Sequence, residues 1–196
     1  MPSPWHRDSN VGTFDSMSKP TSISRRMADC IDAFNGNRDE QALIHFFPAL
    51  DKTAKRRRPR DRVGDRIKRL LGDQEEVISR IATGGMLGKM SVNGVSFPEA
   101  IYKFGRNSIA HEGELDRRLK IIEGGSLTIG RVWCLPRSYI LALCVGVMIA
   151  PENVHEHLDG PGTIPIFGRD WALNDLWGAQ TEIVSAMASA MAGAGT

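Results

Sequence analysis

The chain has 196 residues, 41% of them hydrophobic and 24% charged, and a net charge of +2. That composition suits one globular domain with a real core, and the low aromatic share of 7% leans towards helix over sheet. Three cysteines (Cys30, Cys134, Cys144) with no CxxC spacing argue against a disulfide framework, and the longest apolar run, Tyr139 to Ala150, is far short of the roughly 20 residues of a membrane span.

Residues 1–20 are rich in Ser, Pro and Asp, show no period and read as a disordered tail. Pro2 and Pro4 stand in a polar N-terminus without a signal peptide, so a reducing cytoplasm is the expected compartment. Residues 21–192 are expected to form a single domain. A first helix is predicted from Ser22 to Phe34, with Met27, Cys30, Ile31 and Phe34 as its apolar stripe. A second runs from Asp39 to about Arg57, and Pro48 inside it predicts a kink or a division into two pieces. Two shorter helices follow, Val63 to Leu71 and Gln74 to Thr83. Gly84 to Gly94 reads as a mobile glycine-rich loop.

The next helix has a clear start. Ser96 suits the N-cap, Pro98 the first turn and Glu99 the N-terminal dipole, and Gly113 is placed to stop the helix after His111. Leu119 to Ile129 then reads as a β-hairpin turning at Gly124-Gly125. Pro136 opens a buried helix to about Ala150, His155 to Gly168 is loop, and Trp171 to Met191 is a last helix with Leu173, Leu176, Trp177, Val184 and Met187 on one side.

Charge is concentrated in one place. Between Lys52 and Arg69 stand ten bases and two acids, a local +8 that leaves −6 for the rest of the chain. Such a stretch, with Arg56, Arg57 and Arg58 at its centre, suits a polyanion such as RNA; the plainer alternative is a solvated helix face.

On the Pro98–His111 helix, Ile101, Phe104, Gly105, Ser108 and Ile109 follow helical spacing and form the buried face. Lys103, Asn107 and His111 share another face, with Tyr102 and Arg106 in a row beside it. A guanidinium offers a planar fork of donors to phosphate, and a histidine changes charge near neutral pH. Arg106, Asn107 and His111 together have the parts for RNA cleavage without a metal: a proton carrier, a stabiliser of charge on phosphorus and a polar residue to orient them.

The run Tyr102-Lys103-Phe104-Gly105-Arg106-Asn107-Ser108-Ile109-Ala110-His111-Glu112-Gly113 resembles the signature helix of HEPN proteins, whose motif is Arg, a polar residue, and His after four to six intervening residues. Ala49 to Lys55 is similar, less distinctively, to bacterial HEPN-like proteins. The resemblance implies a mainly α fold, a HEPN-like up-and-down helical bundle with a small β-hairpin insertion. It implies a homodimer whose two motifs face one cleft, and a metal-independent endoribonuclease of toxin–antitoxin or phage-defence type. Arg106 and His111 are then the catalytic pair and Asn107 their support, with Lys103 and Tyr102 beside the substrate. No cofactor is implied; RNA and a regulatory or antitoxin protein are the implied partners. Other members of that family only bind RNA or nucleotides, so a non-catalytic binding module is a rival reading, and a purely structural or protein-interaction bundle is another.

Three weaker patterns are set aside. Gly84 to Met90 is one residue short of a P-loop and has Met where Ser or Thr is needed; Ser96 lacks the second Gly of a nucleophile elbow; His155-Glu156-His157 is a short loop run without partners for a metal.

Overall fold

The computed structural model describes residues 20–85 and 87–193, so the tail read over 1–20 lies, apart from Pro20, outside the described residues. Helix α1 (Ser22–Asn35) begins at Thr21, whose hydroxyl accepts from the Ile23 and Ser24 amides. Ile23, Met27, Cys30 and Ala33 recur at helical spacing and are buried against α2 (Asp39–Arg57). Asn37, in the left-handed region, turns the chain between the two. Helix α2 runs through Pro48 as one element: the N–H lost there is a single bond, while Leu43, Phe46, Phe47, Leu50 and Ala54 are all buried around it.

The two short helices expected over 63–83 are one, α3 (Val63–Thr83). Gly72 and Asp73 sit inside it. A glycine costs a helix about 1 kcal/mol, and burial of Leu70, Leu71, Gln74, Val77 and Ile78 on either side outweighs that. Gly84, in the left-handed region, ends the helix.

Part of the glycine-rich segment is ordered as a small hairpin. Strands β1 (Ser91–Val92) and β2 (Val95–Ser96) pair across Asn93-Gly94, both at positive φ, which is the two-residue turn that fits strand twist. Ser96 then caps α4 (Phe97–Ala100), its hydroxyl accepting from the Glu99 amide. The same helix continues as a π-helical segment, Ile101–Asn107, and closes as α5 (Ser108–Glu112), stopped by Gly113 at positive φ.

The expected hairpin over 119–129 is replaced by a three-stranded sheet. Strands β3 (Leu119–Ile122) and β4 (Thr128–Ile129) do not pair with each other; β5 (Trp133–Pro136) lies between them, parallel to β3 and antiparallel to β4. Trp133 and Leu135 on β5 are buried, which gives the middle position to the strand with the largest apolar side chain. Pro136 therefore ends a strand instead of opening a helix.

Helix α6 (Ser138–Met148) is apolar on nearly all sides and occupies the centre, against α1, α2 and α3. Gly146 allows α3 close: a methyl group there would stand 2.8 Å from Gln74 Oε1 and 3.1 Å from Ile78. The thiols of Cys30 and Cys144 meet at 3.1 Å in the core, unoxidised, and their hydrogen bond together with burial pushes the Cys144 thiol well above its ordinary value. A 3-10 turn, Pro151–Asn153, follows. The stretch read as loop and helix start instead forms a hairpin, β6 (Thr163–Ile166) with β7 (Arg169–Ala172), then a 3-10 turn, Leu173–Leu176. The last helix is shorter than expected, α7 (Gln180–Gly193), and buries Ile183 and Met187 while Val184 is exposed. The protein is thus mostly helical with small sheets, and no helix among the described residues is long and apolar enough to cross a membrane.

Candidate functional site

The π-helical segment carries Tyr102, Lys103, Arg106 and Asn107. A π-helix bonds i to i+5, so each residue turns less than in an α-helix, and stacking inferred from α spacing does not hold there. Lys103 pairs with Glu99 at 2.8 Å on the exposed surface, while Asn107 accepts from Arg106 Nη1 at 3.2 Å through its Oδ1. The ring of Tyr102 packs on the backbone of Gly64 in α3, where a methyl group would come within 2.9 Å of it. Only glycine at 105 fits the segment to α2: a methyl group at Gly105 would lie 2.6 Å from Phe47 Cζ and 3.3 Å from Leu119 Cδ2.

Arg106 reaches towards α2. Its Nη2 stands 3.9 Å from Asp51 Oδ2, too far for a hydrogen bond, while the other oxygen of Asp51 takes both Nε and Nη2 of Arg66 at 3.0 and 2.6 Å. Asp51 is thus held mainly by Arg66, which leaves most of the five donors of Arg106 unengaged. Beside Arg106 lies a hollow of about 340 Å³ lined by Ile44, Phe47, Pro48, Ile109 and Ala110. Arg26 lines it too, and donates to His45 Nδ1 at 3.1 Å; Asp29 stands 3.7 Å beyond on the same nitrogen.

His111 follows on α5. It is exposed and makes no hydrogen bond or ion pair with any described residue. It does not line the hollow of Arg106. Sequence spacing therefore finds both residues on one helix, and the fold brings Arg106 and Asn107 together but leaves His111 outside the arginine's hollow.

The arginines of the basic stretch are placed differently from what the charge run suggests. Arg56 pairs with the buried Glu156 at 2.8 Å and donates to Asn153 Oδ1 at 2.8 Å. Arg57 holds Glu152 through Nε and Nη2 at 2.8 and 2.9 Å, and reaches Asp73 and Gln180. Arg58 pairs with Asp73 at 2.8 Å. These three are ties between α2, α3, the Pro151–Asn153 turn and α7, and do not form the free cationic surface expected at 56–58. Glu152 and Glu156 lie far along the chain and Asp73 on the next helix, all out of reach of local pattern.

Glu156 sits at the start of α1, accepting from the Ser24 hydroxyl at 2.5 Å, the Ser24 amide at 3.2 Å and the Thr21 hydroxyl. Burial alone would push its carboxyl up; the bonds from Ser24, Thr21 and Arg56 outweigh that and hold it below its ordinary value of 4.5. The His155–His157 run is therefore organised around an inward helix-capping carboxylate. Sequence reading also misses Arg66, Arg26 and His45 beside Arg106; only Asp51, within the Ala49–Lys55 stretch, carried a signal.

Neither a search of curated proteins nor a search of solved structures gave a significant match. The model of the Rv1289 family matches residues 22–194, and the chain belongs to that family.

Proposed function

We propose that the protein is a metal-independent endoribonuclease of the HEPN type, acting as a homodimer. One observation carries the reading: a single helix holds a partly engaged Arg106 at a hollow that Arg26 and Asp51 also line and, five positions on, an exposed His111 without a partner among the described residues. The π-helical backbone under Arg106 adds support, because such segments are rare and concentrate at functional sites. A mostly helical fold is compatible with a helical bundle of that family, with the motif on the helix that follows α3.

In one chain His111 stands outside the hollow of Arg106. A second copy seated over Ile44, Pro48 and Ile109 supplies the missing partner, and the 38% exposure of Ile44 suits such a contact. His111 takes the proton of a ribose 2′-hydroxyl, O2′ attacks phosphorus, and the P–O5′ bond breaks. The second His111 returns a proton to O5′. The products are a 2′,3′-cyclic phosphate and a 5′-hydroxyl. Arg106 binds the non-bridging oxygens as their charge grows.

The test is digestion of mixed RNA in excess EDTA by wild type, His111→Ala and Arg106→Ala, with the mass in solution measured alongside. Cutting by the wild type alone, leaving cyclic ends, supports the reading. No cutting by the wild type, or equal cutting by all three, overturns it.

A further inference from the structure

With Arg56, Arg57 and Arg58 engaged by internal acids, a second group of cations stands out at the β-strands that follow the motif helix. A groove of about 650 Å³ runs between the β1–β2 hairpin and the starts of β3 and β5, bordered by Arg117, Arg118, Lys120 and Arg131. All four are exposed. Arg117, Lys120 and Arg131 make no hydrogen bond or close ion pair with any described residue, although the charge of Arg117 is felt by Asp116, so three cations free of direct polar contacts border one depression. The volume lies within the range of sites that hold a small ligand.

Arg118 is built differently. Its guanidinium lies 4.2 Å from the centre of the Phe104 ring, and Asp116 holds it from the side through two bonds at 2.9 and 2.5 Å. Asp116 also accepts from the Arg118 amide at 2.8 Å, and its own amide is tied to the Phe104 carbonyl at 3.0 Å. The carboxyl of Asp116 is held below its ordinary value by the Arg118 bond, burial opposing, which matches a fixed pair. The result is a flat, locked guanidinium with an aromatic ring beneath and its outer face open to the groove, the side chain being 55% exposed.

We propose that this groove binds single-stranded RNA, with Arg117, Lys120 and Arg131 on successive phosphates and one base stacked on the outer face of Arg118. Exposed cations beside a locked planar cation suit a phosphate backbone with unstacked bases. A duplex keeps its bases stacked and offers none to Arg118. Phe104, beneath Arg118, belongs to the same π-helical segment as Arg106, but the groove and the hollow of Arg106 share no lining residue, so the two lie on different sides of the motif helix. The inference deepens the ribonuclease reading by naming where the substrate lies, but binding in the groove does not depend on cleavage.

The experiment keeps the two apart. Binding is measured in the His111→Ala background by fluorescence anisotropy, with a labelled oligouridylate of about 12 nucleotides, within the span that single-strand binders cover. The deoxy counterpart, which has no 2′-hydroxyl to react, is run beside it across a salt series. The triple variant Arg117→Ala/Lys120→Ala/Arg131→Ala is expected to lower the slope of log affinity against log salt by about 2, three contacts at roughly 0.7 each. Arg118→Ala is expected to weaken binding about tenfold with an unchanged slope, as loss of one stacked base would. The substituted cations at 117, 120 and 131 are exposed and free of direct polar contacts, and unchanged thermal melting verifies the fold. Wild-type affinity and slope in the triple variant overturn the proposal, as does absence of oligonucleotide binding at low salt. So does tighter binding to vesicles of phosphatidylcholine and phosphatidylserine in equal parts, which would assign the groove to a membrane surface. Binding without any RNA cutting by the parent protein leaves the groove standing and removes only the ribonuclease reading.

Discussion

Arg56 meets Glu156 at 2.8 Å, joining the end of α2 to the carboxylate that caps the start of α1. The Glu156 side chain is 2% exposed, so the interaction is little screened by solvent.

Replacing that carboxylate should therefore be costly and pH-dependent. Glu156→Gln is expected to lose about 2 kcal/mol at pH 7, the scale of hydrogen bonds to a charged group. A carboxyl held below its unfolded value of 4.5 stabilises the fold above that pH, and the contribution fades as pH falls through the lower folded value. The gap between variant and wild type should thus narrow as pH drops below 4.5. Urea unfolding at a series of pH values measures it; a gap constant down to full protonation would contradict the assignment.

Glu75 should behave in the opposite sense. It is buried without an ion-pair partner among the described residues, accepting from the Met90 amide at 2.6 Å, and burial pushes its carboxyl above 4.5 with that amide opposing. A raised folded value favours the protonated fold, so its benefit is complete below 4.5 and is lost as pH rises through the folded value. Glu75→Gln, whose amide oxygen keeps the Met90 bond, is expected to be more stable than wild type at pH 7 and equal to it below 4.5. A loss of stability at pH 7 would show that the carboxylate has a further stabilising partner.

Arg57→Ala is expected to lower stability by about 2 kcal/mol, roughly 4–8 °C in melting temperature for a chain of this size. It removes the fork on Glu152 and the contact with Asp73 together. Arg60→Ala, at an exposed position in the same charge run, should stay within about 0.5 kcal/mol of wild type. Equal melting of the two variants would place Arg57 among the solvated charges.

The Gly105–Phe47 contact predicts a coupled pair. Gly105→Ala should cost about 1–3 kcal/mol by overpacking, because the Phe47 ring is buried and stands where the methyl group would go. Adding Phe47→Leu should recover part of that loss, which a double-mutant cycle reads as a favourable coupling. Strict additivity would mean that the backbone moves instead of the ring.

If the motif helix performs the proposed cleavage, His111→Ala should slow it about 10²–10⁴-fold and Arg106→Ala about 10²–10³-fold. Neither should change melting temperature by much, since His111 is exposed and Arg106 makes one hydrogen bond, to its neighbour Asn107. Single-turnover rates and thermal melts, read together, separate loss of chemistry from loss of fold.

The elements legible in the sequence are those with local causes. Met27 and Cys30 of the expected α1 stripe, the full length of α2 and the Ser96 cap follow from spacing and from single side chains that satisfy backbone amides, while Ile31 and Phe34 are only half-buried. The Asn93-Gly94 turn had an equally local signal, but it was hidden by the glycines before it. Other features had no local signature. The four residues of β5 are too short a run to distinguish strand from helix, and their central position depends on β3 and β4. Helix α3 is continuous because of what packs on both sides of Gly72. The π-helical turn leaves the buried set of Ile101, Phe104, Gly105 and Ser108 as α spacing predicts, so apolar pattern alone does not reveal it. The fate of Arg56 and Arg57 was illegible for a simpler reason: Glu156 and Glu152 become their neighbours only after the chain has folded back through α6, while Arg58 meets Asp73 only once α3 has packed on α2.

The order β3-β5-β4 has a consequence for self-association. The middle strand is the last of the three in sequence, so the inner edges of β3 and β4 stay unpaired until Trp133–Pro136 fills the slot between them. Displacing β5 exposes two edges in one event, and open edges template pairing with other chains. A substitution that loosens Trp133 should therefore show itself as aggregates that grow with protein concentration before any loss of helix is seen.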